Sequence, residues 1–210
     1  MKSSGMTPRL RKLALTAHVT VSVGWLGAVA GFLVLSIAGL TSQDADVVRG
    51  AYLSMNLIGL FIIVPLSLAA LATGLVQSLG TEWGLVRFYW VLVKLALTIG
   101  STLLLLLHQF TAVAGAAKLA SGTEAGILPS VGRVGTQLVG DAGLAILVLL
   151  MVTTISVYKP WGLTRYGLRK VPQRPDSETP LGLKIFLAVV GGIAAMGFVL
   201  MHIAGGGHHH

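Results

Sequence analysis

The sequence predicts an all-α integral membrane protein: a bundle of five transmembrane helices with the N-terminus inside and the C-terminus outside. Composition is the first observation behind this, because 54% of the residues are hydrophobic and only 10% are charged. A soluble domain carries roughly 25% charged residues. The mean hydropathy of +0.84 is also typical of a membrane protein. The second observation is a set of long apolar stretches, and the third is the uneven placement of the basic residues.

Five apolar stretches are long enough to cross a bilayer as helices, which takes about 20 residues for a ~30 Å hydrocarbon core. They are Leu13–Leu40, Ala51–Leu79, Leu85–Ala114, Thr136–Val157 and Leu181–Ala204. The first is too long to be the apolar part of a cleavable signal peptide. We therefore predict one membrane domain over residues 1–204. Residues 205–210 (GGGHHH) form a tail that looks like a linker and the remnant of a purification tag.

The basic residues predict the orientation of the bundle. Arg49, Lys118 and Arg133 fall on one predicted side of the membrane, and the other twelve fall on the opposite side. Those twelve are Lys2, Arg9, Arg11, Lys12, Arg87, Lys94, Lys159, Arg165, Arg169, Lys170, Arg174 and Lys184. Cytoplasmic segments carry the excess of Lys and Arg. The N-terminus is therefore expected in the cytoplasm, with the basic loops against anionic lipid headgroups.

Local signals place some boundaries and irregularities. Asp44 and Asp46 are expected to be turn or helix-capping residues between the first two spans. Pro65 is expected to kink the second span, because proline cannot donate the backbone hydrogen bond of a regular helix. The segment from Lys118 to Gly135 is expected to be the longest outer loop.

Several function classes are excluded or disfavoured. The chain has no cysteine, which excludes disulfides, thiolate metal sites and cysteine nucleophiles. No nucleic-acid-binding motif is present, and we expect no nucleic-acid partner. No Ser/His/Asp set, HExxH, phosphate-binding loop or pair of catalytic carboxylates appears, so the sequence favours a non-enzymatic protein.

A polar stripe along the third span indicates the face turned into the bundle. It consists of Lys94, Thr98, Ser101, Leu105 and His108, which recur at spacings of three and four residues. Four other leucines, at positions 103, 104, 106 and 107, cover the rest of the helix circumference. His108 is therefore expected to face inward, away from the lipid.

The remaining polar residues fall into two groups according to their expected depth in the membrane. At ~1.5 Å of rise per residue, the outer half of the bilayer should hold a cluster of Asn56, His108, Gln109, Asp141 and His202. His18 follows soon after Lys12 and belongs to the inner half, so it is a separate candidate ligand. Ionisable side chains inside a membrane are costly, and they often mark functional sites.

The chemistry of this cluster leaves three alternatives. His108 and His202 could be the axial ligands of a haem b used for electron transfer, with Asn56 and Gln109 beside the cofactor. The same histidines with Asp141 could instead hold copper or zinc, or form part of a path for a metal or small solute. In the third alternative each histidine only bonds a neighbouring helix, and the protein is a structural or accessory subunit.

Small residues on the first span suit close helix packing. Thr20, Gly24, Gly27 and Gly31 recur along one face, and the last two form a GxxxG pair. Such a face can pack within the bundle or against a second copy of the chain, so a homo-oligomer is one expectation. The lipid bilayer is the other expected partner.

Two stretches carry a family resemblance. The segment AHVTVSVGWLGAVAGFLVLSIAGL resembles the first helix of a family of small bacterial multi-pass proteins of unknown function, and WGLVRFYWVLVKLALTIGSTLLLLLH resembles their third helix. That family is similar in turn to the membrane domain of copper-resistance D-type proteins, whose first helix has a His followed by a Trp-Gly pair. Here His18 and Trp25 match, but Leu26 separates Trp25 from Gly27. The resemblance implies a bacterial inner-membrane location.

Overall fold

The computed structural model describes residues 6–80, 85–124, 126–128, 132–159, 162–164 and 166, and these form helices with short connections. Four helices are long and apolar enough to cross a membrane: α1 (Pro8–Thr41), α2 (Ala45–Gly80), α3 (Tyr89–Gly122) and α4 (Gly132–Tyr158). They correspond to the first four predicted spans, so the all-α class is confirmed for this part of the chain. The fifth predicted span, Leu181–Ala204, lies outside the described residues. The five-helix count, the single domain and the orientation therefore stay predictions.

The start of α2 confirms the capping predicted at Asp44. Its Oδ1 accepts hydrogen bonds from the backbone N–H groups of Asp46 (2.9 Å) and Val47 (3.3 Å). These are first-turn donors that have no partner inside the helix. The carboxylates of Asp44 and Asp46 also lie at the positive end of the helix dipole. The sequence therefore encodes this helix start locally.

The third apolar stretch begins near Leu85, and the helix within it, α3, begins at Tyr89. The residues just before Tyr89 are held by a later part of the chain. Phe88 forms an isolated antiparallel bridge with Leu163, and the backbone N–H of Thr164 donates to the carbonyl of Arg87 at 2.9 Å. These hydrogen bonds hold the backbone in a non-helical conformation until Tyr89.

The loop between α3 and α4 is shorter than the predicted range from Lys118 to Gly135. Helix α3 continues to Gly122, and α4 begins at Gly132. The guanidinium of Arg49 on α2 donates to the carbonyls of Ser121 (3.2 Å) and Thr123 (3.3 Å). It thereby satisfies acceptors at the helix end that lack intrahelical donors. The end of α3 thus depends on a contact with a distant residue.

Both middle helices contain a π-helical turn. In α2 it spans Gly59–Ile63 and ends just before Pro65, and Val64 N–H donates to the carbonyl of Gly59. The π turn thus ends two residues before Pro65, and the kink predicted at Pro65 stays a prediction. In α3 the π turn spans Gln109–Val113 and follows His108 directly. Such turns insert a residue into the helix and change the direction of neighbouring side chains, and they are frequent at functional sites.

The chain divides into two compact units. Unit one comprises Met1–His18, Leu71–Thr98 and Leu150–His210, and unit two comprises Val19–Ala70 and Ile99–Leu149. Unit one has a small buried cluster, made of Trp90, Val91, Val93 and Ile155. The larger core of unit two takes residues from all four helices, including Trp25, Phe32, Tyr52, Met55, Ala116 and Leu138.

The GxxxG pair of α1 packs against nothing in the described residues. A methyl group added at Gly27 or Gly31 would meet no atom within 4 Å, whereas one added at Gly24 would contact Leu66 at 3.5 Å. Packing of the described helices through Gly27 and Gly31 is therefore not observed. The homo-oligomer stays a prediction.

Candidate functional site

His108 is paired with Asp141, and both belong to unit two. Nδ1 of His108 lies 2.8 Å from Oδ2 of Asp141, with the side chains 16% and 31% exposed. A carboxylate has no proton to donate, so at this distance Nδ1 is the nitrogen that carries the proton, although the contact lacks the alignment of a hydrogen bond. In the neutral imidazole, Nε2 then holds the lone pair that can bind a metal ion. The pair thus fixes the tautomer of His108 and the orientation of its ring.

The polar stripe of α3 has the orientation predicted from its spacing. Lys94, Thr98, Ser101, Leu105 and His108 are all half-buried. Of the four leucines expected on the other faces, Leu103, Leu104 and Leu107 are exposed and Leu106 is half-buried. The run of leucines before His108 therefore covers the outside of the helix, while the histidine turns toward α4.

The amides of Asn56 and Gln109 are bonded to each other. Gln109 is 4% exposed, and its Nε2 donates to the Oδ1 (3.1 Å) and the backbone carbonyl (3.3 Å) of Asn56. The carboxamide of Gln109 lies directly over Gly59, where any Cβ atom would overlap it. The contact joins the π turns of α2 and α3. The two residues proposed to lie beside a cofactor thus act first as a link between helices, and cofactor binding by them stays a prediction.

His18 lies in a separate set of contacts within unit one. Its Nδ1 is 2.9 Å from Oγ1 of Thr73 on α2, and its Nε2 is 3.3 Å from Nζ of Lys94 on α3. Thr73 and Lys94 both belong to unit one, and the separation of His18 from the cluster around His108 stays a prediction. No pattern in the sequence indicated Thr73 as a site residue. Lys94 was recognised only as the first residue of the polar stripe.

The structure does not test the predicted pairing of His108 with His202, because His202 lies outside the described residues. Within the described ranges, no group of three or more His, Cys, Asp or Glu side chains could together hold a metal ion. Asp141, predicted as a metal ligand, uses Oδ2 to bind His108. Its position suits a side chain that orients the ring of His108.

Four buried polar atoms in unit two have no hydrogen-bond partner among the described residues. They are Nε1 of Trp25, the hydroxyl of Tyr52, Oγ1 of Thr102 and Oδ2 of Asp141, whose contact with His108 is a close ion pair without hydrogen-bond alignment. Tyr52 is almost completely buried and packs against Gly39 on α1 and Gly135 on α4. No spacing in the sequence indicated this arrangement. It depends on two glycines that are distant from Tyr52 along the chain.

Comparison of the chain with protein-family models, curated proteins and solved structures finds no match. The resemblance to the bacterial family of unknown function and to copper-resistance D-type proteins therefore stays a prediction. The function must be inferred from the side chains themselves.

Proposed function

We propose that this chain is a haem-binding membrane protein in which His108 is an axial ligand of haem b, with electron transfer as its function. The observation that carries the proposal is the 2.8 Å contact between Nδ1 of His108 and Oδ2 of Asp141. Histidines that bind metals commonly donate their second ring N–H to a carboxylate, which orients the ring and makes the ligating nitrogen more basic. Nδ1 of His108 faces a carboxylate at close range, on a helix that is long and apolar enough to cross a membrane.

The number of ligands favours haem over the copper or zinc alternative. A haem iron takes four ligands from the porphyrin and needs only one or two from the protein. A bare zinc ion is held by three or four protein ligands, so this alternative would need Asp141 and His202 together with His108, and Oδ2 of Asp141 already lies against His108. We propose His202, on the predicted fifth span, as the second axial ligand. Membrane insertion as a five-helix bundle in a bacterial inner membrane is part of the same proposal.

The residues of this chain have distinct tasks in the proposed site. A bound haem would supply the one-electron chemistry. Asp141 holds the proton of His108 on Nδ1 and keeps Nε2 available. The link between Gln109 and Asn56 fixes the π turn that begins one residue after His108. The apolar side chains of the spans keep bulk water away and so influence the reduction potential.

The visible absorption spectrum of the purified protein tests this proposal. We expect a haem band in the wild-type chain and its loss in His108→Ala and in His202→Ala, while His18→Ala keeps the band. Asp141→Asn keeps an acceptor near Nδ1 but removes the charge. It should therefore keep the haem and raise its reduction potential, because the ligand becomes less basic.

Two other results would overturn the haem assignment. A colourless protein that carries stoichiometric copper or zinc, measured after removal of residues 205–210, would favour the metal-handling alternative. The truncation is needed because the histidines of the tail can themselves bind metal. A colourless, metal-free protein would favour an accessory subunit.

A further inference from the structure

Side chains from three helices meet around His18 in unit one. Lysine has only donors, so Nζ of Lys94 donates to Nε2 of His18 at 3.3 Å. Nδ1 of His18 then carries the proton and donates to Oγ1 of Thr73 at 2.9 Å. Gly74 gives the imidazole room against α2, since a Cβ atom there would be 3.3 Å from Cε1 of the ring. We call His18, Thr73 and Lys94 the inner triad.

The charge of Lys94 is not balanced by the described part of unit one. The described acidic residues of the whole chain all belong to unit two: Asp44, Asp46, Glu124 and Asp141. Within its described residues, unit one holds the basic Arg9, Arg11, Lys12, Arg87, Lys94 and Lys159. A half-buried ammonium within a membrane span is costly unless it is paired with an opposite charge. Of its three N–H donors, the described residues supply an acceptor to one, at His18.

We propose that the inner triad binds the phosphate of an anionic lipid headgroup. Basic pockets between transmembrane helices suit such headgroups. A phosphate oxygen can accept the remaining N–H groups of Lys94 and balance its charge. The depth of Lys94 in the membrane is compatible with a headgroup contact. Lys94 lies five residues after the start of α3, which is about 7.5 Å along the helix. A lysine side chain can bridge much of that distance toward the headgroups.

The surroundings favour a lipid over a soluble anion. Leu15 and Val76 lie three residues from His18 and Thr73 respectively, and they are 53% and 51% exposed. In a membrane these exposed apolar side chains face hydrocarbon. Acyl chains can therefore lie against the same helices whose polar side chains hold the phosphate. A free phosphate would gain no such apolar contact.

Native mass spectrometry of the full chain with phosphatidylglycerol tests the proposal, with phosphatidylcholine as the neutral comparison. The measurement is made in high salt, which screens attraction to exposed charges more than to half-buried ones. Lys94→Gln keeps a donor for His18 but removes the charge, and it should weaken phosphatidylglycerol binding about fivefold or more. Lys94→Arg keeps the charge and should keep the lipid. Lys12→Gln, at an exposed basic residue of α1, is the matched control and should change little.

Three outcomes would overturn the proposal. The first is phosphatidylglycerol binding by Lys94→Gln that equals binding by the wild-type chain. The second is a several-fold gain of lipid binding in Glu82→Gln, which would mean that this carboxylate and not a phosphate balances Lys94. The third is binding of inorganic phosphate as tightly as phosphatidylglycerol. Thermal unfolding of each variant in detergent shows whether a loss of binding reflects a loss of fold.

Discussion

Gln109 on α3 donates two hydrogen bonds to Asn56 on α2, one to the side-chain oxygen at 3.1 Å and one to the backbone carbonyl at 3.3 Å. The contact lies where both helices widen into π turns, and Gln109 is almost fully buried there. A buried amide that lost its partner would leave donors unsatisfied in an apolar surrounding. This link therefore explains why a glutamine follows His108 at the end of a run of leucines.

Gly59→Ala should destabilise the protein, because the added methyl group would overlap the carboxamide of Gln109. Overpacking of this kind costs about 1–3 kcal/mol, and a lower midpoint of thermal unfolding in detergent would report it. Gly100→Ala is the matched control on α3, where the added methyl group would meet nothing within 4 Å. Equal stability of the two variants would contradict the close approach of Gln109 to Gly59.

The energy of the link can be measured with a double-mutant cycle of Asn56→Ala and Gln109→Ala. Hydrogen bonds between transmembrane helices couple by ~0.6 kcal/mol on average and by up to ~1.7 kcal/mol. We expect a coupling toward the upper end, because Gln109 donates twice to one residue. The unfolding free energies of the four proteins give this coupling. A value of zero would mean that the two amides do not depend on each other.

Tyr52→Phe should leave the stability unchanged or raise it by up to about 1 kcal/mol. The hydroxyl of Tyr52 is buried and has no partner among the described residues, so its removal ends a desolvation cost without breaking a bond. Gly135→Ala should be destabilising, because the new methyl group would lie 2.6 Å from that hydroxyl. Thermal unfolding in detergent measures both effects.

The two changes at this contact should also be coupled. Tyr52→Phe removes the oxygen that the methyl group of Gly135→Ala would meet, so the double variant should recover part of the lost stability. Gly140→Ala, on the same helix, is the control, because its methyl group would meet nothing within 4 Å. If Tyr52→Phe were as destabilising as loss of a hydrogen bond, the hydroxyl must have a partner.

The proposed orientation predicts which exposed positions a membrane-impermeant thiol reagent reaches in intact cells. The chain has no cysteine of its own. Ser121→Cys lies at the exposed end of α3 and should be labelled, whereas Thr7→Cys, just before α1, and Ser177→Cys should not. The positive-inside distribution is the physical reason. The opposite labelling pattern would reverse the orientation and the depth assigned to both histidine sites.

The sequence by itself determined the class of the protein and most of its helix positions. Length and apolarity suffice for this, because a membrane helix satisfies its backbone hydrogen bonds within its own segment. The cap at Asp44 and the inward face of His108 could also be predicted from nearby residues. The cap follows from an acidic residue at the helix start, and the inward face follows from side-chain spacing along one helix. The ends of α3 depend instead on distant residues: Thr164 bonds the backbone just before the helix, and Arg49 bonds the carbonyls at its end, where the loop was predicted too long.

Only the tertiary structure decided which polar residues are partners. Helical spacing places His108, Gln109, Asn56 and Asp141 within one half of the membrane, but it cannot say which atoms meet. The structure joins His108 to Asp141 and Gln109 to Asn56, and it adds Thr73 and Lys94 to His18. Such contacts depend on the rotation of each helix about its axis, and the π turns change that rotation within α2 and α3. Rotation follows from packing between helices, which no single span encodes.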